Sequence, residues 1–389
     1  MNTISSLYKT LKKVFDYGQW RDRRHLDTFC QMVSGLIQSE SSNLTHWIPY
    51  VIYSRAVFAQ SKQRRFIRWL TNHTIEVETL YAPMIKEALA SWGHAKMYIV
   101  MDTSLLGNQF CLISISVVSR GRAVPIIWKV VEQGSSMMAY SDYAALLKSV
   151  PALLPKEAPV VLLADRGFAD TALMALCREL DGHFRIRVKE NYTVYQGDRK
   201  VGKVADYALV PGKSIFLHNV SITHQKYGPV HLALAQPTET KERWSVISDE
   251  PTSLHTYAEY GFRFDIEELF LDEKSNGFNV EHSALRSEKA LTRLFFVLAA
   301  ATLYLVSQGT PVVADNKRRH VDPHWFRGSS YLRIGWNWIK AHLSRGWQLL
   351  LTLRLYGGED PEPAMASKKQ HRLRQNKFVF ECILLNFET

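Results

Sequence analysis

"KMYIVMDTSLLGNQFCLISISVVSRGRAVPIIWKVV", Lys96–Val131, decides how the rest of this chain is read. It holds three runs of aliphatic and β-branched residues, "KMYIVMD", "QFCLISISVV" and "AVPIIWKVV". Short turn signals, among them "SRGR" at Ser119–Arg122, separate them. Such runs predict three successive antiparallel strands. Working outward, "AYSDYAALLKSVPALL" (Ala139–Leu154) predicts a helix and "APVVLLADRGF" (Ala158–Phe168) a buried strand ending in a polar turn. "DTALMALCRELDG" (Asp170–Gly182) predicts a helix closing on its glycine, and "HFRIRVKEN" (His183–Asn191) another strand. Three strands, helix, strand, helix, strand is an α/β pattern with a mixed, partly antiparallel sheet.

Five regions follow from the texture of the chain. Residues 1–92 read as helical, with "FIRWLTNHTIEVETLYAPMIKEALASW" (Phe66–Trp92) spaced as a helix and cations gathered in "SKQRRFIRW". The α/β pattern occupies 93–189. Short strands with turn residues between them fill 190–248, a β-rich insertion. Helix returns over 249–310, in one segment from about Leu254 and a second over about Ser283–Gln308. Residues 311–389 begin with a linker, "TPVVADNKRRHVDP" starting at Thr310, continue as a helix in "YLRIGWNWIKAHLSRGWQLLLTL", and end in a polar tail.

The chain has 389 residues, 46% hydrophobic, enough for a real core. Its formal net charge is +11 and its pI about 9.4, which points to a polyanionic partner, nucleic acid before an anionic membrane. The bland alternative is a merely basic soluble enzyme. Cys30, Cys111, Cys177 and Cys382 lie far apart with no CxxC pair, which disfavours a zinc module or a disulfide framework and fits a reducing compartment. No apolar h-region of a secretory signal stands near the N-terminus. The longest apolar run, "LFFVLAAATLYLV" (Leu294–Val306), falls short of the ~20 residues a membrane span needs and reads as a buried core helix.

Two carboxylates close strand-like runs: Asp102 in "YIVMDTS" and Asp165 in "VVLLADRG". If those strands are neighbours, the acids meet at one edge of the sheet. A third acid comes from "YGFRFDIEELFLDEKSNGF", Tyr260–Phe278, expected as one helix. At about 100° per residue, Tyr260, Arg263, Glu267 and Lys274 share a stripe about 60° wide, opposite Phe262, Ile266, Leu269 and Phe270. Three carboxylates without a His or Cys partner suit Mg²⁺ or Mn²⁺. Two such ions can assist in-line displacement at phosphorus. Read singly, each aspartate also fits a turn or helix cap, and the stripe also fits a set of surface pairs.

The stretch carries the pattern Tyr-x2-Arg-x3-Glu-x6-Lys in order and spacing. With "MDTS" and "ADRGF", it resembles the insertion-sequence DDE transposases of the IS-four type. The resemblance implies an RNase H-like catalytic core with a β-strand insertion between the second aspartate and the glutamate. It implies that Asp102, Asp165 and Glu267 are the catalytic acids and ligands of two Mg²⁺ ions per site, with Mn²⁺ able to substitute. It further implies end nicking, hairpin formation and opening, and strand transfer to target DNA. Tyr260, Arg263 and Lys274 would contact phosphate at the cleaved end. Trp244 would stack on a flipped base, and Arg187 and Lys189 would touch DNA; as alternatives, Trp244 is a core aromatic and the basic strand a solvated face. Residues 1–92 would bind the transposon end, and 311–389 would support a homodimer holding two ends with terminal inverted repeats. A bacterial, cytoplasmic, nucleoid-associated protein without a membrane partner is implied. Two competing readings are a DNA-binding relative without catalysis, acting as a regulator, and a general nuclease of the same fold.

Overall fold

The computed structural model describes residues 3–51, 58–238, 242–274, 277–346, 349–358, 360–365 and 380–387. Its centre is the predicted run of strands. β1 (Met97–Leu106), β2 (Phe110–Val118) and β3 (Ala123–Val131) form an antiparallel meander, with Asp102 opposite Ser114. β2 is buried at every position, Ser114 and Ser116 included, as in a strand covered on both faces. α6 (Tyr140–Ser149) leads to β4 (Val160–Ala164), and α7 (Thr171–Glu179) leads to β5 (His183–Arg187). β4 pairs in parallel with β1 on one side and with β5 on the other. Asp170 caps α7 by accepting from the Ala172 N–H at 2.8 Å.

The strands that follow extend this sheet. They are β6 (Thr193–Gln196), β7 (Arg199–Lys203), β8 (Lys213–Ile222), β9 (Tyr227–Gln236) and β10 (Trp244–Ser248). β10 returns to pair antiparallel with β5, Val246 opposite Arg187. The strand order is β3-β2-β1-β4-β5-β10-β9-β8-β6-β7. A mixed α/β architecture with one large mixed sheet is therefore the fold class.

Helices cover the sheet. α1 (Thr3–Val14), α2 (Arg23–Ser39), α3 (Leu44–Trp47), α4 (Ala59–Thr71) and α5 (Val77–Leu89) precede β1. After β10 come α8 (Leu254–Gly261), α9 (Phe264–Lys274), α10 (Glu288–Ala314) and α11 (Tyr331–Arg345). α10 is long and apolar enough to cross a membrane, yet 94% of its most apolar window is buried inside the protein. It is the core helix the sequence suggested. Phe296 stacks on Phe29 at 4.4 Å, and Arg293 donates to the carbonyls of Leu70 and Ile75, which ties α2, α4 and the turn before α5 to α10.

Four expectations are corrected. The second helix starts at Glu288, not near Ser283, and runs through Thr310–Ala314, expected as linker, because Val312 and Val313 pack on Tyr331 and Ile334 of α11. α11 stops at Arg345, where Gly346 takes φ +70°, so Leu349–Leu355 is not helix; it lies along α10, with the Leu350 N–H donating to Gln308 Oε1 at 3.2 Å. The C-terminal region is not helix and tail alone: β11 (Glu381–Asn386) pairs in parallel with β8. And Tyr260–Phe278 is two helices, not one. Gly261 ends α8, and bonds from the Arg263 N–H to the Tyr260 carbonyl (3.0 Å) and from the Asp265 N–H to the Phe262 carbonyl (3.1 Å) make a tighter turn that re-aims α9.

Candidate active site

The parallel register of β1 and β4 puts Met101 beside Ala164. The next residues along each strand are Asp102 and Asp165, so two acids stand side by side at the end of the pairing. Asp102 is anchored by the Thr103 N–H, which donates to its Oδ1 at 2.7 Å. Burial pushes the Asp102 carboxyl up to about 6, and the neighbouring charges of Asp165 and Glu267 add to the rise. The Thr103 N–H and Arg263 oppose it.

Arg263, in the turn between α8 and α9, joins the third acid to this pair. Its guanidinium donates from Nη1 to Asp102 Oδ2 at 3.2 Å and from Nη2 to Glu267 Oε1. It is 6% exposed, whereas the Glu267 side chain is about half exposed. Arg263 Nε is buried without a hydrogen-bond partner, and so is the Tyr260 hydroxyl. Tyr260 is fully buried on α8, and its phenol feels the charges of Arg263, Asp165, Arg187 and Asp102. Two unspent donors thus lie beside the acids.

The remaining predicted residues divide. Lys274 ends α9, half-buried. Burial pushes the Cys111 thiol up to about 11; Lys274 draws it down and Asp102 pushes it up. Trp244 is 5% exposed and packs edge-on against Tyr260 (5.7 Å) and tilted against Phe264 (5.8 Å); it is a core aromatic in this conformation. Arg187 is engaged with Glu242 (2.7 Å) and the Arg243 carbonyl (2.8 Å). Lys189 is exposed beyond the end of β5.

The sequence reading missed a polar network behind the site. Arg185, 3% exposed on β5, donates to Glu259 of α8 at 2.9 Å and to Ser248 of β10 at 2.9 Å, and pairs with Glu250. Tyr98 and Lys96 from the start of β1 also reach Glu259, at 2.8 and 3.2 Å. It fixes α8 to β1, β5 and β10, and so fixes the base of the turn that carries Arg263. On the other side of α9, Arg122 of the β2–β3 turn donates to Glu268 at 3.0 Å. A strand cation and a helix acid far apart in sequence give no local signal.

The donor set of Asp102, Asp165 and Glu267 is all carboxylate oxygen and fits Mg²⁺ by its chemistry. Among the described residues, however, no three or more His, Cys, Asp or Glu are gathered closely enough to hold a metal ion as they stand. Arg263 supplies the positive charge between Asp102 and Glu267.

Residues 117–304 match the family model of the Transposase DDE domain. The match begins within β2, takes in Asp165 and Glu267, and leaves Asp102 just outside. It supports a DDE transposase, an enzyme that acts on DNA. No curated protein matches the chain. Among solved structures, a cryo-EM structure of a piggyBac transposase synaptic complex with hairpin DNA is similar at 10% identity and a TM-score of 0.43, over 89% of this chain and 79% of that chain.

Proposed function

We propose that the chain is a cut-and-paste DNA transposase of the IS-four type, with Asp102, Asp165 and Glu267 as its catalytic acids. The observation that carries this reading is the parallel β1–β4 pairing, which sets Asp102 beside Asp165 while Arg263 links Asp102 to Glu267. The order β3-β2-β1-β4-β5, with β1, β4 and β5 parallel, supports an RNase H-like core. The three acids would hold two Mg²⁺ ions, which would activate an attacking oxygen and stabilise a leaving one. The chain's own donors hold the DNA. A phosphate at the cleaved end takes the free Tyr260 hydroxyl and Arg263 Nε, with Lys274 adding charge at the end of α9. When phosphate draws Arg263 away, Asp102 and Glu267 lose their counter-cation and become available to metal. Arg187 and Lys189 extend the contact from β5. Trp244 takes a flipped base only by leaving its contacts with Tyr260 and Phe264.

In this reading residues 1–92 bind the transposon end, 93–189 and 249–310 form the catalytic core, 190–248 is the insertion and 311–389 supports a homodimer. The homodimer brings two inverted-repeat ends to target DNA in a cytoplasmic, nucleoid-associated complex. Nicking, hairpin formation and strand transfer are one displacement at phosphorus repeated with different oxygen nucleophiles.

The test is cleavage of end-labelled DNA carrying the element's inverted repeats, in Mg²⁺, on a denaturing gel. Asp102→Asn, Asp165→Asn and Glu267→Gln are each expected to lose at least about 100-fold in rate while melting as the wild type does. Wild-type cleavage by any of the three would remove that residue from the site. A second reading, a DNA-binding relative without catalysis, is favoured by the Arg263 bridge, which engages both Asp102 and Glu267. Salt-sensitive binding to the repeat without a cut in Mg²⁺ or Mn²⁺ would select it.

A further inference from the structure

The loop between α10 and α11 presents two aromatic rings to solvent. Trp325 is 83% exposed and Phe326 42%. The backbone beneath them is held tightly. Arg318, 7% exposed, donates from Nη1 to the carbonyls of His324 (2.9 Å) and Phe326 (3.0 Å), and from Nη2 to that of Trp325 (3.4 Å). Asp322, 1% exposed, accepts from the N–H groups of Gly328 (3.0 Å) and His324 (3.3 Å), from Arg318 (3.3 Å), and from the His324 ring. Gly328 makes room for that ring, since a Cβ there would sit 2.4 Å from it. Arg327, also buried, holds the Ser329 and Glu362 carbonyls and pairs with Asp360. Two buried arginines and a buried aspartate therefore fix a loop whose tip keeps its rings out of the core.

The rings have a cation beside them. Arg319 is exposed, and its guanidinium lies 5.6 Å from the Trp325 ring centroid. The acids nearby are engaged: Asp315 with Lys317, Asp322 and Glu362 with Arg318, Asp360 with Arg327. Arg319 has no ion-pair partner among the described residues. The acid that anchors Arg327 also neighbours the β2–β3 turn. Asp360 lies 3.5 Å from where a Cβ on Gly121 would stand, and the adjacent Arg122 pairs with Glu268 and Asp272 on α9, the helix of Glu267.

We propose that the Trp325–Phe326 tip is a stacking platform for an unpaired base of a DNA strand, with Arg319 contacting the neighbouring phosphate. The proposal rests on the DNA-acting reading above. Two exposed rings beside one unpaired guanidinium match a base and its phosphate; a protein partner would ask for a broad apolar patch. Strand cutting frees unpaired bases, and a platform on a tightly held loop is suited to hold one.

The test is fluorescence anisotropy with the full chain and two labelled probes, an oligothymidylate and a blunt duplex. Trp325→Ala removes only exposed surface and is expected to melt as the wild type does. It should bind oligothymidylate about 5- to 150-fold more weakly, the range of one base–aromatic stack. Trp325→Phe should recover most of the loss, and duplex affinity should hardly change. Equal binding of oligothymidylate by Trp325→Ala and wild type would overturn the proposal, as would an equal loss on both probes. Unchanged DNA affinity with a dimer-to-monomer shift in sedimentation would assign the rings to a second copy of the chain. If the wild type bound neither probe, the DNA-acting reading itself would fall.

Discussion

At the scale of single residues, the chain places charge where water is scarce and answers it unevenly. Arg263 is answered twice, by Asp102 and Glu267. Glu273, six residues further along α9, is 3% exposed. Burial pushes its carboxyl up to about 8, the charge of Asp272 adds to the rise, and Lys274 opposes it. Its ordinary value is 4.5, so the native state holds the neutral form. The stability linked to that proton is full below pH ~4.5 and is lost as pH rises through about 8. Glu273→Gln keeps the neutral shape without the titration. Wild type and variant should melt alike near pH 4.5, and by pH 9 the variant should be the more stable by up to ~5 kcal/mol. Denaturant melts across that range check it; a difference that does not grow with pH would mean that Glu273 is solvated.

At the scale of elements, close approach and interruption matter more than propensity. α10 and α11 cross through Gly309 and Gly335. A Cβ on Gly335 would fall 1.9 Å from the Leu305 carbonyl oxygen, and one on Gly309 1.9 Å from that of Tyr331. Neither backbone atom can swing aside, so Gly335→Ala forces the helices apart and should cost ~1–3 kcal/mol or more. Gly167→Ala, whose Cβ meets nothing within 4 Å, is the control and should melt as the wild type does. The break between α8 and α9 is the functional counterpart. A continuous helix would align Tyr260 with Glu267; the turn instead leaves Tyr260 in the core and carries Arg263 to Asp102.

At the scale of the molecule, the net charge is +11, and exposed cations carry part of it. α4 exposes Arg64 and Arg68 on the face away from its buried Phe66, Trp69 and Leu70. If residues 1–92 grip the transposon end there, affinity for the repeat should fall steeply with salt. Arg64→Gln and Arg68→Gln should each reduce the slope of log K against log salt by about one, with base preference unchanged. Titrations between low and moderate salt measure it, and an unchanged slope would move the contact elsewhere on the protein.

What the sequence determined by itself was local or nearly so. Aliphatic runs with turns between them specified the β1–β2–β3 meander, and each of Asp102 and Asp165 was legible as a polar residue at a strand end. Apolar content marked α10 as core, and the Tyr-Arg-Glu-Lys spacing singled out Glu267 as the proposed third acid. Tertiary structure decided everything that depends on a distant partner. No periodicity says that β10 pairs with β5 and carries the sheet on into β9 and β8, or that β11 joins β8. Helix geometry extrapolated through Gly261 missed the turn, because the bonds that close it compete on equal local terms with the helix. The identity of Arg263 was read from spacing, but its bridge between acids 161 and 4 residues away, like the burial of Trp244 under Tyr260 and Phe264, is a product of packing. A side chain's chemistry is written at its own position, whereas its partner is chosen by where the sheet and the helices bring the rest of the chain.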